Sequence, residues 1–190
     1  MSVLGILTVG HPVLRERSRQ VSATELASPE IQTLIDEMIE TMRAAGGAGL
    51  AANQVGRAVR IAVAEVDHNP RYPYKPPIPL TVIVNPEIEP LGEEIGLINE
   101  GCLSLPDLRA EVPRHLDIRI RYLDREGVEH EEVKRGLTAG TFQHEVDHLD
   151  GTLIVDRADS RSLMTWEHFE RYHREEFIER ISAFAEHAGS

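Results

Sequence analysis

The spacing of apolar residues changes twice along this chain, and those changes limit what it can fold into. Over residues 28–44, Ile31, Leu34, Ile35, Met38, Ile39 and Met42 recur at helical spacing and fall on one face. Ser28 suits the cap of that helix, Pro29 its first turn and Glu30 the positive end of its dipole. Gly46 and Gly47 end it. The period then drops to two. Val59, Ile61 and Val63 alternate within 57–66, residues 80–84 offer a second strand, and Leu116, Ile118, Ile120 and Tyr122 alternate within 115–124. Asp124-Arg125-Glu126-Gly127 reads as a hairpin turn leading to a return strand over 128–133. Five prolines within 69–79 predict an irregular loop. Helical spacing returns over 137–149, ending at Gly151, and over 163–184, where Leu163, Trp166, Phe169, Phe177, Ile178, Ile181 and Phe184 form the apolar side. Residues 153–155 are too short to assign. Strands in the middle with helices at both ends predict an α+β domain, and no linker divides it.

The length, 190 residues, suits one substantial core. The expected unit is a single catalytic domain over 1–190, with 165–190 as C-terminal helix and tail. With 41% hydrophobic and 27% charged residues, disordered and fibrous classes are excluded. No apolar run approaches the ~20 residues that span a membrane, and the first ten residues lack a signal-peptide layout, so a cytoplasmic location is expected. A net charge of -12 repels phosphate backbones, which argues against direct nucleic-acid binding. The one cysteine, Cys102, rules out an intramolecular disulfide.

His144 and His148 stand four residues apart in His144-Glu145-Val146-Asp147-His148. On a helix that spacing puts both imidazoles on one face, where they can grip one ion, and Glu145 beside them can take a proton from water on that ion. Chance alone would produce His-Glu-x-x-His roughly 0.05 times in a chain this rich in His and Glu. The competing reading is an exposed polar helix face. A catalytic site of this kind uses three protein ligands and keeps one position open. Gly151 fits the metzincin pattern, but Ile154 stands where its third histidine would be and cannot bind metal. Glu167 and Glu170 lie at the distance of a thermolysin-like third ligand, and Cys102 offers a thiolate suited to zinc or ferrous iron.

Three segments line up in order: Gly47-Ala48-Gly49-Leu50-Ala51-Ala52-Asn53-Gln54, Glu100-Gly101-Cys102-Leu103-Ser104, and Gln143 to Gly151 around the two histidines. Together they resemble the three motifs of peptide deformylases, and Gly10-His11-Pro12-Val13-Leu14-Arg15 is similar to that family's opening. The resemblance runs from about residue 3 to Arg157. It implies mostly antiparallel strands packed around a central metal-binding helix, with an N-terminal helix and a long C-terminal helix. Cys102, His144 and His148 would bind one divalent metal, Fe2+ first, with Zn2+, Ni2+ or Co2+ as alternatives. Glu145 would be the general base and then the acid that protonates the leaving amine. Gln54 and the Leu103 backbone N–H would donate to the oxyanion. Gly49 and Gly101 would line the substrate groove, and Arg114 would help hold the peptide. The substrate would be an N-formylated nascent peptide near the ribosome, its formyl group leaving as formate after attack by metal-bound hydroxide; the oligomeric state stays open.

Other readings bear on that picture. Gly47-Ala48-Gly49-Leu50-Ala51-Ala52 also fits a dinucleotide pattern, but it follows a helix and leads to a strand, which is the wrong context. Glu100, beside Cys102, could pair with an arginine, and Gln143 stays unassigned between a role at the metal and plain packing. Ala48 and Gly140 are small where the family often carries bulk near the substrate side-chain pocket, which predicts a roomier pocket. Glu167, Glu170, Glu175, Glu176 and Glu179 on the last helix argue against a basic tail that docks on ribosomal RNA. A metal-stabilised binding module is the rival of another class, but structural zinc sites use four protein ligands and no fourth is evident.

Overall fold

A computed structural model describes residues 2–67 and 74–188, without the side chains of 183–188. Residues 69–73 of the proline-rich stretch, together with His68 and the side chain of Phe184, lie outside the described residues. Two antiparallel sheets and three long helical runs make up an α+β fold, as the sequence predicts.

The larger sheet has five strands: β1 (Gly49–Ala51), β2 (Ile61–Val66), β3 (Ile78–Pro90), β6 (Asp117–Leu123) and β7 (Glu129–Arg135), in the order β1-β2-β3-β6-β7. The smaller holds β4 (Ile95–Cys102), β5 (Leu105–His115) and β8 (Met164–Thr165). The helix Pro29–Ala44 is capped by the Ser28 side chain, which accepts from the Ile31 N–H as expected. Its apolar stripe packs with Leu50, Ile61, Val63, Val82 and Val84 on one face of the five-stranded sheet. The opposite face carries Ala51, Ala62, Ala64, Ile83, Ile118 and Ile120 against Ala139, Phe142 and Leu149 of the helix Gly136–Leu149. β2 is therefore buried on both faces, and its alternation sorts branched residues to one helix and alanines to the other. Small side chains on that second face let the Gly136–Leu149 helix sit close to the sheet. This is the central helix, and it carries both histidines. Arg60 reaches its C-terminal end, donating to Asp150 Oδ1 at 2.6 Å, where a cation complements the helix dipole.

The β6–β7 hairpin forms where the sequence places it. Asp124 Oδ1 accepts from the Glu126 and Val128 N–H groups, and Gly127 adopts φ 82° at the turn. The β4–β5 hairpin has no counterpart in the sequence reading. Its strands run antiparallel from Ile95↔His115 to Cys102↔Leu105, and Leu103 and Ser104 make the tip. Residues 153–155, left unassigned, enter a single helical turn at Ile154–Arg157. The last helical run starts at Trp166 under a Thr165 cap, passes through one π turn (Phe169–His173) and continues as Arg174–Ala188. Leu163, expected on its apolar side, precedes it and is exposed, because the chain there closes a short turn at Ser160–Ser162. Phe169, Phe177 and Ile181 instead pack on Ile98, with Tyr74 and Leu137 beside them. No described helix is long and apolar enough to cross a membrane.

Candidate active site

The central helix and the tip of the β4–β5 hairpin meet at one end of the five-stranded sheet. Helical spacing stacks His144 and His148 with ring centroids 5.0 Å apart. The hairpin brings Cys102 to them, its Sγ 3.2 Å from His148 Nε2. One donor atom from each of the three residues lies within 4.8 Å of the others. His144 Nδ1 is held by Glu100 Oε2 at 2.9 Å, which leaves Nε2 as the nitrogen that faces the sulfur. Two imidazoles and a thiol, with no fourth donor grouped with them among the described residues, suit an open, reactive metal centre. Glu167 and Glu170, the alternative third ligands, are exposed on the C-terminal run and take no part in this group.

Glu145 is 4% exposed, and its Oε2 has no hydrogen-bond partner among the described residues. Burial pushes its carboxyl up to about 7, opposed by the charges of His144 and Lys75. Gly49 makes the space it occupies: a Cβ there would stand 2.1 Å from Glu145 Oε1. Gln54 belongs to the short turn after β1. Its Oε1 accepts from the Ala51 N–H at 2.8 Å, which turns Nε2 towards Ser104 Oγ at 3.1 Å and Cys102 Sγ at 3.9 Å. Leu103 lines the cleft from the hairpin tip, and a Cβ on Gly47 would come within 2.9 Å of its Cδ1. Gly101 lines the same cleft beside Arg109.

Behind Cys102, His144 and His148 lies a chain of charge. Arg114 grips both oxygens of Glu100, at 2.8 and 2.9 Å, and also bonds Asp147. Arg157 takes Asp147 from its other side with two contacts of 2.6 Å. Glu100 is held below the usual carboxylate range: burial works against its charge, and the Arg114 guanidinium outweighs burial. Arg114 is 2% exposed and does not line the cleft. The sequence suggests that it holds the peptide; here three of its N–H groups bond two buried carboxylates. The pairing of Glu100 with an arginine is as the sequence suggests. Gln143 resolves to packing, since it bonds the His115 N–H and carbonyl.

Four further residues bear on the site without a site role assigned to them from the sequence. Asn53 donates to the carbonyl of His148 and ties the β1 turn to the central helix. Arg109 is 1% exposed, lines the cleft, and is stacked between Trp166 and Phe169 at 4.4 and 4.3 Å from their centroids. Lys75 also lines the cleft, donating to Thr141 Oγ1 at 2.9 Å. Burial brings its ammonium down to about 8. Phe177 closes one side, edge-on to Tyr74. Gly140 leaves no spare room, because Ile98 Cδ1 stands 2.7 Å from where its Cβ would be. The smallness of Gly140 therefore does not enlarge the pocket.

A metal-binding triad with a buried carboxylate beside it, at the edge of an antiparallel sheet, defines a metal-dependent hydrolase. Residues 3–163 match the polypeptide deformylase family. A peptide deformylase of Zymomonas mobilis is 47% identical over 82% of this chain and 86% of its own length, and one of Leptospira biflexa is 44% identical over 86% and 92%. A class I type b peptide deformylase of Acinetobacter baumannii, solved with Met-Ala-Ser bound, superposes with a TM-score of 0.79 at 41% identity, over 82% of this chain and 98% of that one. The chain belongs to the polypeptide deformylase family, whose members are metal-dependent hydrolases that remove the formyl group from nascent peptides.

Proposed function

We propose that Cys102, His144 and His148 hold a divalent ion and that Glu145 moves the proton in deformylation. The reading rests on one observation above all: the three donor atoms cluster within 4.8 Å while Glu145 is buried beside them without a partner on Oε2. When bound, the ion supplies a Lewis acid that polarises the formyl carbonyl and acidifies water. Glu145 takes one proton from the attacking water as the new C–O bond forms. It returns that proton to the amine nitrogen as the C–N bond breaks, so formate and a free N-terminus leave. A carboxyl poised near neutrality suits both halves of that transfer. Gln54 Nε2 and the Leu103 N–H donate to the oxygen that becomes negative, and losing one such donor typically costs about 10²–10³ in rate. Gly49 and Gly101 keep the groove open to the peptide backbone, and Arg109, rather than Arg114, is the arginine placed to touch it.

The donor set of one thiolate and two imidazoles supports ferrous iron first, with zinc, nickel or cobalt as substitutes. We assign residues 1–190 to one catalytic domain in the cytoplasm, acting on formylated chains near the ribosome. The net charge of -12 disfavours a direct hold on RNA.

Formate release from a formyl-Met tripeptide, with metal content measured anaerobically on the same samples, tests the assignment. Cys102→Ala is expected to lose both metal and activity. Glu145→Gln is expected to keep the metal and to lose at least about 10²-fold in kcat. Full activity in Cys102→Ala would overturn the ligand set.

A further inference from the structure

Asn53 is fully buried and stands next to Gln54 in the short turn Ala52–Val55. That turn has the tight geometry of three residues per turn, so successive side chains leave it about 120° apart. Gln54 runs to the tip of the β4–β5 hairpin, where its Nε2 meets Ser104 Oγ and Cys102 Sγ. Asn53 runs to the central helix, where its Nδ2 donates to the His148 carbonyl. Among the described residues this is the one hydrogen bond between the turn and that helix. β1 ties the turn to β2, and the Leu7 N–H ties it to the N-terminal segment at 2.8 Å. Neither contact refers it to the histidines.

Both ends of that bond matter to the site. Gln54 Oε1 closes back on the Ala51 N–H at 2.8 Å, so the amide is fixed to the backbone of its own turn. Where Nε2 stands relative to Cys102, His144 and His148 then depends on where the turn sits. The two histidines are also held differently. Glu100 fixes His144 through Nδ1 at 2.9 Å, whereas His148 Nδ1 is buried with no hydrogen-bond partner among the described residues. The His148 imidazole is therefore placed by packing and by the backbone that carries it. His148 lies in the last turn of its helix, where carbonyls lack partners further along the helix. Asn53 supplies its carbonyl with a donor from outside. Resting on the deformylase reading above, we propose that Asn53 is a positioning residue for the reaction. One buried amide sets the oxyanion donor Gln54 at a fixed place relative to the proposed ligand His148.

A double-mutant cycle and one spectroscopic measurement test this. Asn53→Ala removes the donor, and Asn53→Asp replaces it with an acceptor of the same shape. With formyl-Met-Ala-Ser, both are expected to lower kcat by roughly tenfold to a hundredfold, the scale of a misplaced catalytic group, with KM and metal content close to native. In a Gln54→Ala background, Asn53→Ala should change kcat by less than about threefold, because the amide it positions is gone. Should neither Asn53 variant fold, Asn53→Thr, close in volume, enters the same cycle with the same outcomes. Hydrogen exchange of the Gln54 side-chain amide, followed by NMR in the zinc-loaded protein, reads the positioning without turnover. That amide should be protected in the native protein and should exchange at least roughly tenfold faster in Asn53→Ala. Losses in kcat that are equal in the two backgrounds overturn the role, as packing alone would produce them. A Gln54 amide equally protected in Asn53→Ala overturns it too. No formate from the native protein, with the Gln54 amide protected there and released in Asn53→Ala, overturns the deformylase reading and leaves the positioning by Asn53 standing.

Discussion

Two arginines on β5, five residues apart, are both almost fully buried and are held in opposite ways. Arg114 is matched by carboxylates: it takes Glu100 with two hydrogen bonds and Asp147 with a third. Among the described residues Arg109 meets no carboxylate. Its charge rests between the rings of Trp166 and Phe169, its Nε and one Nη bond the side chain and carbonyl of Asn99, and its other Nη is buried without a hydrogen-bond partner among the described residues. A guanidinium saturated by anions is a strut. One with a spare donor at the wall of a cleft is available to a ligand carbonyl or carboxylate. The same residue type, with the same burial and on the same strand, thus braces Glu100 and Asp147 behind the Cys102, His144 and His148 group in one case and lines the cleft in the other.

The sharpest way to break this distinction is to remove each charge in turn. Arg114→Met leaves two carboxylates buried with reduced compensation, which typically costs about 3–5 kcal/mol. Urea unfolding should show that loss, and metal affinity should fall as Glu100 ceases to fix His144, by roughly tenfold to a hundredfold. Adding Glu100→Gln to Arg114→Met should recover part of the stability but not the affinity. A stable Arg114→Met protein with normal metal binding and a raised KM would restore Arg114 to the peptide and dissolve the contrast. Arg109→Met should behave the other way: a smaller stability change, normal metal content, and a KM for formyl tripeptides raised by roughly tenfold, the scale of one lost charge-assisted bond. A change in metal content without a change in KM would place Arg109 with the struts.

This contrast also shows why part of the molecule was legible in the sequence and part was not. The 29–44 helix and the β6–β7 hairpin follow from periodicity because each buries one apolar stripe and exposes the rest. β4 and β5 defeat that reading. Their buried positions include Asn99, Glu100, Arg109 and Arg114, while Ile95 and Leu97 face outward, so polarity no longer reports burial. Pro106 and Pro113 mask β5 further. In the site, His144, Glu145 and His148 are readable because one helix spaces them. Cys102 and Gln54 come from other elements, and only the resemblance of whole motifs ties them to the helix. Nothing local distinguishes Arg109 from Arg114, since the difference lies in which residues the β4–β5 register and the C-terminal run bring against each. Lys75 sits in a proline-rich stretch that gives no periodic signal at all.

The smallest expected effect separates the buried part of the charge chain from its exposed end. Arg157 makes two contacts with Asp147, both shorter than those Arg114 makes with Glu100, yet its side chain is 47% exposed. If distance set the energy, Arg157→Ala would cost nearly as much as Arg114→Met. If burial sets it, water takes over most of what Arg157 provides, Asp147 keeps Arg114, and the loss stays below about 1 kcal/mol. The pair Arg157→Ala and Arg114→Met, compared by urea unfolding at low and high salt, decides between these. The Arg157→Ala loss should shrink as salt screens the exposed pair, whereas the Arg114→Met loss should hardly move. A loss above about 2 kcal/mol for Arg157→Ala would mean that the chain acts as one unit out to the surface. Asp147 would then need both arginines, and the support of His144 would extend from Glu100 to the helical turn at Ile154–Arg157.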